Sequence, residues 1–407
     1  MSKNDTKPTR EAQQQKFKSR RPTQHVYQLC PDPNQEGDNT IPPADVDIIL
    51  FHGLQLPGNE APDAYWRTWK MRESEDCWLE TLLPELLVRL ARALDCPKAP
   101  TTRVLSISYE SRLDLGTKRA APDTKVQKVG IHDDYNLAEA LIKELIFDGE
   151  VNAGQNGPVF LLGHDLGGIL IKLFVIALEE NHAKEEKDYR RERLLKFLKN
   201  LKGVHFFATP HSGADVLQAV SESIKSNPGT LEHEMVRYLK VLNKHTARTN
   251  QAFQSLRTSG KDLRISDFQT SAVSAANHTD LGEFGESVQV VKEGSERQGI
   301  NHFYSYGTDH FTVCQPEGTY SSPFRWLAQE IIQTMKERHK LQPAVPQNST
   351  EQLADAAEVR DKRLKFYGNL VTLATSTSDA PATGTTEAFA TSTTAASASS
   401  TKAPLCL

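Results

Sequence analysis

The sequence predicts an α/β protein with a mostly parallel central sheet covered by helices on both faces. Three observations carry this. Short runs of consecutive apolar residues recur along the chain, as for strands buried on both faces. The segments between them space their apolar residues by three and four, as amphipathic helices do. One run ends in a glycine-flanked turn that opens directly into a helix. With 407 residues, 38% of them hydrophobic and 25% charged, the chain can build one large core and still carry polar extensions.

The elements follow in order. Residues 1–44 are polar and read as a disordered basic arm carrying Lys3, Lys7, Arg10, Lys16, Lys18, Arg20 and Arg21. The main domain is expected over 45–340. It opens with a strand at Val46–Phe51 that runs into His52-Gly53. A loop rich in aromatics (Trp66, Trp69) leads to a helix over Trp78–Leu94, then a strand over Thr102–Tyr109. Tyr135–Phe147 places Leu137, Ala138, Leu141, Ile142, Leu145 and Ile146 on one helical face. The run Pro158–Leu162 is a third buried strand. Ile169–Leu178 is apolar nearly all round, as in a helix enclosed by a domain. Asn181–Arg193 reads as a solvated, charged segment. Further strands are expected at Gly203–Ala208, Leu263–Phe268 and His302–Tyr306, with a helical lid over 214–260 and a closing helix over Pro323–His339. From 341 to 407 the chain becomes rich in Ser, Thr and Ala and is expected to be disordered.

Bulk properties exclude several functions. A net charge of −4 gives no global reason to bind nucleic acid. Five scattered cysteines without a CxxC pair do not form a disulfide framework, and a reducing, cytoplasmic setting is the simplest reading. Mitochondrial or membrane-peripheral placement is the alternative. A basic arm with no apolar anchor could make at most a weak, salt-sensitive contact with an anionic membrane. No P-loop, dinucleotide fingerprint or metal-ligand cluster occurs, so no cofactor and no metal are expected. Nothing in the sequence sets the oligomeric state.

The chemistry is concentrated at Gly163-His164-Asp165-Leu166-Gly167-Gly168. Strand, Gly-x-Asp-x-Gly, helix is the pattern of a nucleophile elbow, a turn so tight that glycines must flank the exposed side chain. Asp165 stands at its tip. Phe51-His52-Gly53-Leu54 follows the first buried strand, where an oxyanion-hole loop belongs. The backbone N–H groups of Leu54 and Leu166 are the expected donors. Gly307-Thr308-Asp309-His310 comes late in the chain, which puts His310 in the order nucleophile, acid, histidine as the general base. His52 and His164 are read as supporting residues at the strand ends, together with Gly53, Gly163 and Gly167. His211, in Thr209-Pro210-His211-Ser212-Gly213, is read the same way.

These blocks together resemble the serine-active-site-containing and GPI inositol-deacylase-like branch of lipid-acting α/β-hydrolases, over roughly residues 46–338. Members carry a strand-HG block, a Trp-containing loop, GHSLGG, GTPHRGS and a late DH block. The resemblance implies an α/β-hydrolase fold and hydrolysis of an ester or a lipid-like small molecule. This chain departs from it twice. Asp165 replaces the serine. Where relatives carry a candidate acid in "SFYE", this chain has Ile265-Ser266-Asp267-Phe268-Gln269, so Gln269 takes the glutamate position and Asp267 is the substitute candidate.

The aspartate changes the chemistry available. A free carboxyl is ionised at neutral pH and needs no base to become a nucleophile. Attack on an ordinary ester carbonyl would give an anhydride that reverts. Attack on a saturated carbon gives an alkyl-enzyme ester, which a histidine-activated water can hydrolyse. Haloalkane dehalogenases and epoxide hydrolases of this fold work in that way. They place Trp after the aspartate where this chain has Leu166, and epoxide hydrolases carry HGxP where it has His52-Gly53-Leu54-Gln55. Three readings stay open: a hydrolase using Asp165 and His310, a non-catalytic binding or scaffold protein, and a dedicated epoxide or alkyl-halide enzyme.

Overall fold

The apolar runs pair into one sheet because only neighbouring strands can satisfy their buried N–H and C=O groups. The computed structural model describes residues 9–31, 44–53, 63–109, 111, 131–211, 246–256, 268–277, 300–318 and 321–341. All lie within the unit Met1–Gln342. The strands are β1 (Val26–Cys30), β2 (Val46–Phe51), β3 (Thr102–Ile107), β4 (Val159–His164), β5 (Leu201–Phe207), β6 (Gln269–Ala275) and β7 (His302–Tyr306). Their spatial order is β1-β3-β2-β4-β5-β6-β7. Every neighbouring pair is parallel except β1 with β3. β2 and β4 are buried along their whole length, as their predominantly apolar composition requires, and the buried Asp47 of β2 pairs with Arg103.

The helices are α1 (Arg10–Lys18), α2 (Ala64–Arg67), α3 (Trp78–Ala93), α4 (Ile131–Ile142, continuing as a π-turn over Lys143–Phe147), α5 (Leu166–Lys184), α6 (Asp188–Asn200), α7 (246–256) and α8 (Ser322–Leu341). One apolar cluster, on the side of α3 and α8, contains Trp66, Trp69, Trp78, Leu83, Phe324 and Ile331. A second, on the side of α4, α5 and α6, contains Leu141, Leu145, Phe174, Leu178 and Phe197. The sheet is therefore covered on both faces, as the alternation of elements predicts. The tryptophans pack rather than line an opening: Trp69 meets Phe207 edge-on at 6.0 Å and Trp78 meets Phe324 at 4.6 Å.

Two expectations need correction. Residues 1–44 are not all a disordered arm, because α1 and β1 lie within them. The strand is short and the helix has one large apolar residue, so neither leaves a periodic signal. Phe17 is nevertheless fully buried, 5.7 Å from the Trp66 ring. Three of the arm's cations are engaged: Lys16 Nζ lies 2.6 Å from Glu80, Arg10 3.3 Å from Asp63, and Arg20 donates to the Leu29 carbonyl at 2.7 Å. The second correction is the register of the sixth strand. It begins at Gln269, where the sequence placed a strand over Leu263–Phe268, because β-branched and small residues (Thr270, Val273) carry it instead of a long apolar run. The lid expected over 214–260 is described only at α7, and the tail beyond Leu341 lies outside the described residues.

If α1 belongs to the domain, Phe17→Ala should cost about 3 kcal/mol, the range for emptying a buried aromatic site. Urea unfolding monitored by tryptophan fluorescence measures this. An unchanged midpoint would show the helix is not part of the cooperative unit.

Candidate active site

Asp165 stands between β4 and α5 with φ 48° and ψ −120°, a backbone conformation that residues with a Cβ rarely adopt. The surrounding packing imposes it. Gly167 lies so close to β2 that an added Cβ would fall 2.2 Å from the Phe51 carbonyl oxygen. At Gly163 it would fall 2.7 Å from Gly168. Strand and helix can approach this closely only where both partners lack side chains. The Asp165 N–H donates to the Phe207 carbonyl at 2.9 Å, and the Gly168 N–H donates to the Asp165 carbonyl at 3.1 Å. The tight, glycine-flanked turn read from the sequence is present.

His310 reaches this turn from the loop after β7. Its Nε2 lies 3.6 Å from Asp165 Oδ1, and both side chains are almost wholly enclosed. That separation is a close contact, longer than a hydrogen bond. Burial drives the His310 pKa down to about 4 despite the Asp165 charge, which acts the other way. The imidazole is thus neutral at physiological pH and able to accept a proton.

The flanking histidines hold this pair in place. His164 Nε2 donates to the His310 carbonyl at 2.8 Å, tying the elbow to the loop that carries His310. Burial keeps its pKa below the ordinary value. His52 stacks on Tyr109 at 4.3 Å, and its Nδ1 lies 3.0 Å from the Gly53 carbonyl. The Tyr109 hydroxyl donates to the His52 carbonyl. Gly53 abuts the elbow, since a Cβ there would fall 2.7 Å from Asp165 Cβ. Leu166 is the first residue of α5, so its N–H is one of the leading helix donors that has no partner within the helix. Leu54, the other expected oxyanion donor, lies outside the described residues.

Gln269, at the position where relatives carry a candidate acid, does not join this group. Gln269 opens β6 opposite Gly203, whereas the elbow and the His310 loop follow the C-terminal ends of their strands. It stands at the opposite edge of the sheet and is exposed. Its sequence position misled because the strand starts later than its apolar pattern indicates. Asp267 lies outside the described residues. Asp309 adjoins His310, but its carboxylate caps its own turn, accepting from the N–H groups of Phe311 at 2.8 Å and Thr312 at 3.0 Å.

Cys314 is buried near Asp165; burial first, and then the Asp165 charge, push its thiol well above the ordinary range. One feature was missed. Lys172 is wholly buried in α5, where its Nζ lies 2.6 Å from His211 Nδ1 and donates to Asn250 Oδ1 at 2.7 Å. A single lysine inside the apolar run Ile169–Leu178 was the available signal. Among the described residues, no group of His, Cys, Asp and Glu could hold a metal.

The strand order, the elbow after β4 and the histidine after β7 define an α/β-hydrolase fold. The chain is similar to Protein SERAC1 of Danio rerio, with 22% identity over 298 residues, 68% of this chain and 37% of that protein. To Protein SERAC1 of Mus musculus the identity is 19% over 315 residues, covering 73% and 40%. The chain thus spans well under half the length of these curated relatives. No protein-family model matches it. Among solved structures, the lipase BlEst2 of Bacillus licheniformis in mature form shows 16% identity and a TM-score of 0.37, covering 73% of this chain and 96% of that one. Phospholipase PlaB from Legionella pneumophila shows 11% identity and a TM-score of 0.37, over 73% and 64%.

The buried histidines make stability depend on pH. His205 (held to about 3 by burial) and His310 (about 4) both lie below their ordinary 6.5. The unfolded chain therefore binds more protons between about pH 4 and 6.5 than the folded one, so these groups favour folding above 6.5 and lose that effect as pH falls toward 4. Glu330, 3.3 Å from His205 and raised to about 7 by burial, acts in the opposite sense from 4.5 to 7. Urea midpoints measured across this window should fall with acidity, and fall less steeply in His205→Asn. Equal slopes would contradict the assignment.

Proposed function

We propose that this protein is a hydrolase in which Asp165 is a covalent nucleophile and His310 the base that completes turnover. The observation that carries this is the 3.6 Å approach of His310 Nε2 to Asp165 Oδ1 across a strained elbow turn. Strained backbone of this kind costs roughly 1–3 kcal/mol and persists where surrounding structure enforces it, often at sites of chemistry.

The substrate is a small or lipid-like molecule with a leaving group on a saturated carbon. In the first step an Asp165 oxygen bonds to that carbon and the bond to the leaving group breaks, the electron pair departing with it. In the second, His310 takes a proton from water, and the oxygen attacks Cγ of the Asp165 ester. The tetrahedral oxyanion forms beside the Leu166 N–H at the start of α5. Collapse releases an alcohol, which takes the proton from His310. Neutral His310 suits the second step, and a preformed carboxylate suits the first. Reaction at an ester carbonyl is disfavoured, since alkoxide is a far poorer leaving group from the resulting anhydride adduct than the carboxylate itself.

The placement of Gln269 at the far edge of the sheet favours one alternative, a non-catalytic binding protein that keeps the elbow without a complete relay. Turnover on a panel of alkyl halides, epoxides and carboxylic esters separates the two. Asp165→Asn should reduce kcat by about a thousandfold, a typical loss for a covalent nucleophile. His310→Gln should complete the first step and then stall, leaving the protein heavier by the alkyl group in intact-mass analysis. Native protein inert to the whole panel, with activity only in Asp165→Ser, would support the non-catalytic reading.

A further inference from the structure

A second strained residue lies beside the elbow. Ala208, immediately after β5, has φ 45°. Positive φ is unfavourable for a residue with a Cβ. Phe207, one residue earlier, supplies the carbonyl that accepts the Asp165 N–H. Thr209, one residue later, fills the space over Gly168: a Cβ on that glycine would fall 2.1 Å from Thr209 Oγ1. The strained turn at 207–209 thus forms one wall of the elbow.

His211, two residues past that turn, is wholly buried. Its Nδ1 lies 2.6 Å from Lys172 Nζ, and Lys172 also donates to Asn250 on α7. Lys172 lies within α5, the helix that begins directly after Asp165. The amine sits among the Phe206 and Phe253 rings, 5.3 Å and 5.7 Å from their centroids. Burial holds its pKa well below the ordinary lysine value. A buried amine is costly unless its hydrogen bonds are made, so this contact is directional and resists sliding. Apolar packing alone would let the turn relax.

From this we infer that Lys172 is a positioning residue: through His211 it holds the strained 207–209 turn against the elbow and so fixes the direction of the Asp165 side chain. The inference rests on the proposed function only for its effect on turnover. The tether itself is a property of the fold.

Hydrogen exchange tests the tether without reference to activity. In Lys172→Met, which keeps the length of the side chain and removes the amine, the amides of 163–168 should exchange about tenfold faster, as for a locally loosened segment. The variant should also lower kcat by about tenfold to a hundredfold with KM unchanged, the scale of a misaligned reacting group. Ala208→Gly removes the strain, so the Lys172→Met effect on the elbow amides should shrink in that background. A merely structural lysine would give additive effects. Should Lys172→Met not fold, His211→Leu carries the same expectations, while His211→Gln, which keeps a polar partner for the amine, should stay near native. Unchanged exchange at 163–168, or full additivity with Ala208→Gly, overturns the inference. Faster exchange in a protein inert to every substrate upholds the tether and rejects the proposed function instead.

Discussion

The approach of α5 to β2 is the constraint on which the site depends. Gly167 brings the helix within van der Waals contact of the Phe51 and His52 carbonyls, and that closeness forces the chain to reverse within a single residue, Asp165. The resulting positive φ is unfavourable by itself. It is offset by the β4 pairings on either side and by the hydrogen bonds at the Asp165 N–H and carbonyl. The geometry that aims the carboxylate is thus a consequence of sheet packing, not of contacts made by the carboxylate.

Burial then sets the electrostatics. An imidazole enclosed by protein loses the hydration that would stabilise its charged form, and for His310 this outweighs the favourable field of Asp165. The outcome is an imidazole held in its neutral form beside the Asp165 side chain. His164 joins them mechanically, because a single bond to the His310 carbonyl ties the loop after β7 to the strand that ends in the elbow. The site is assembled from the ends of β2, β4, β5 and β7, the edge of a parallel sheet where open α/β folds place their chemistry.

Much of this was legible in the residues. The Gly-x-Asp-x-Gly spacing after an apolar strand encodes a steric demand, and the demand is local, so the elbow could be read directly. His310 was readable from chain order. β2, β4 and β7 were readable because continuous apolar or aromatic runs mark them. The N-terminal elements were not: Phe17 is the one large apolar residue in a helix of glutamines and lysines, and its place depends on Trp66, about fifty residues away. The start of β6 was hidden because serines and threonines carry a strand whose burial comes from its neighbours. The Lys172–His211–Asn250 contact joins three distant positions, and only the charge within an apolar helix hinted at it.

If Asp165 is the nucleophile, the carboxylate at the elbow becomes bonded to substrate during turnover. Single turnover in water enriched in heavy oxygen, with enzyme in excess, tests it most directly. Covalent catalysis places the heavy atom in the Asp165 carboxylate and the original protein oxygen in the product alcohol. Heavy oxygen found wholly in the product, with Asp165 unlabelled in the proteolytic peptide that contains it, would contradict the account.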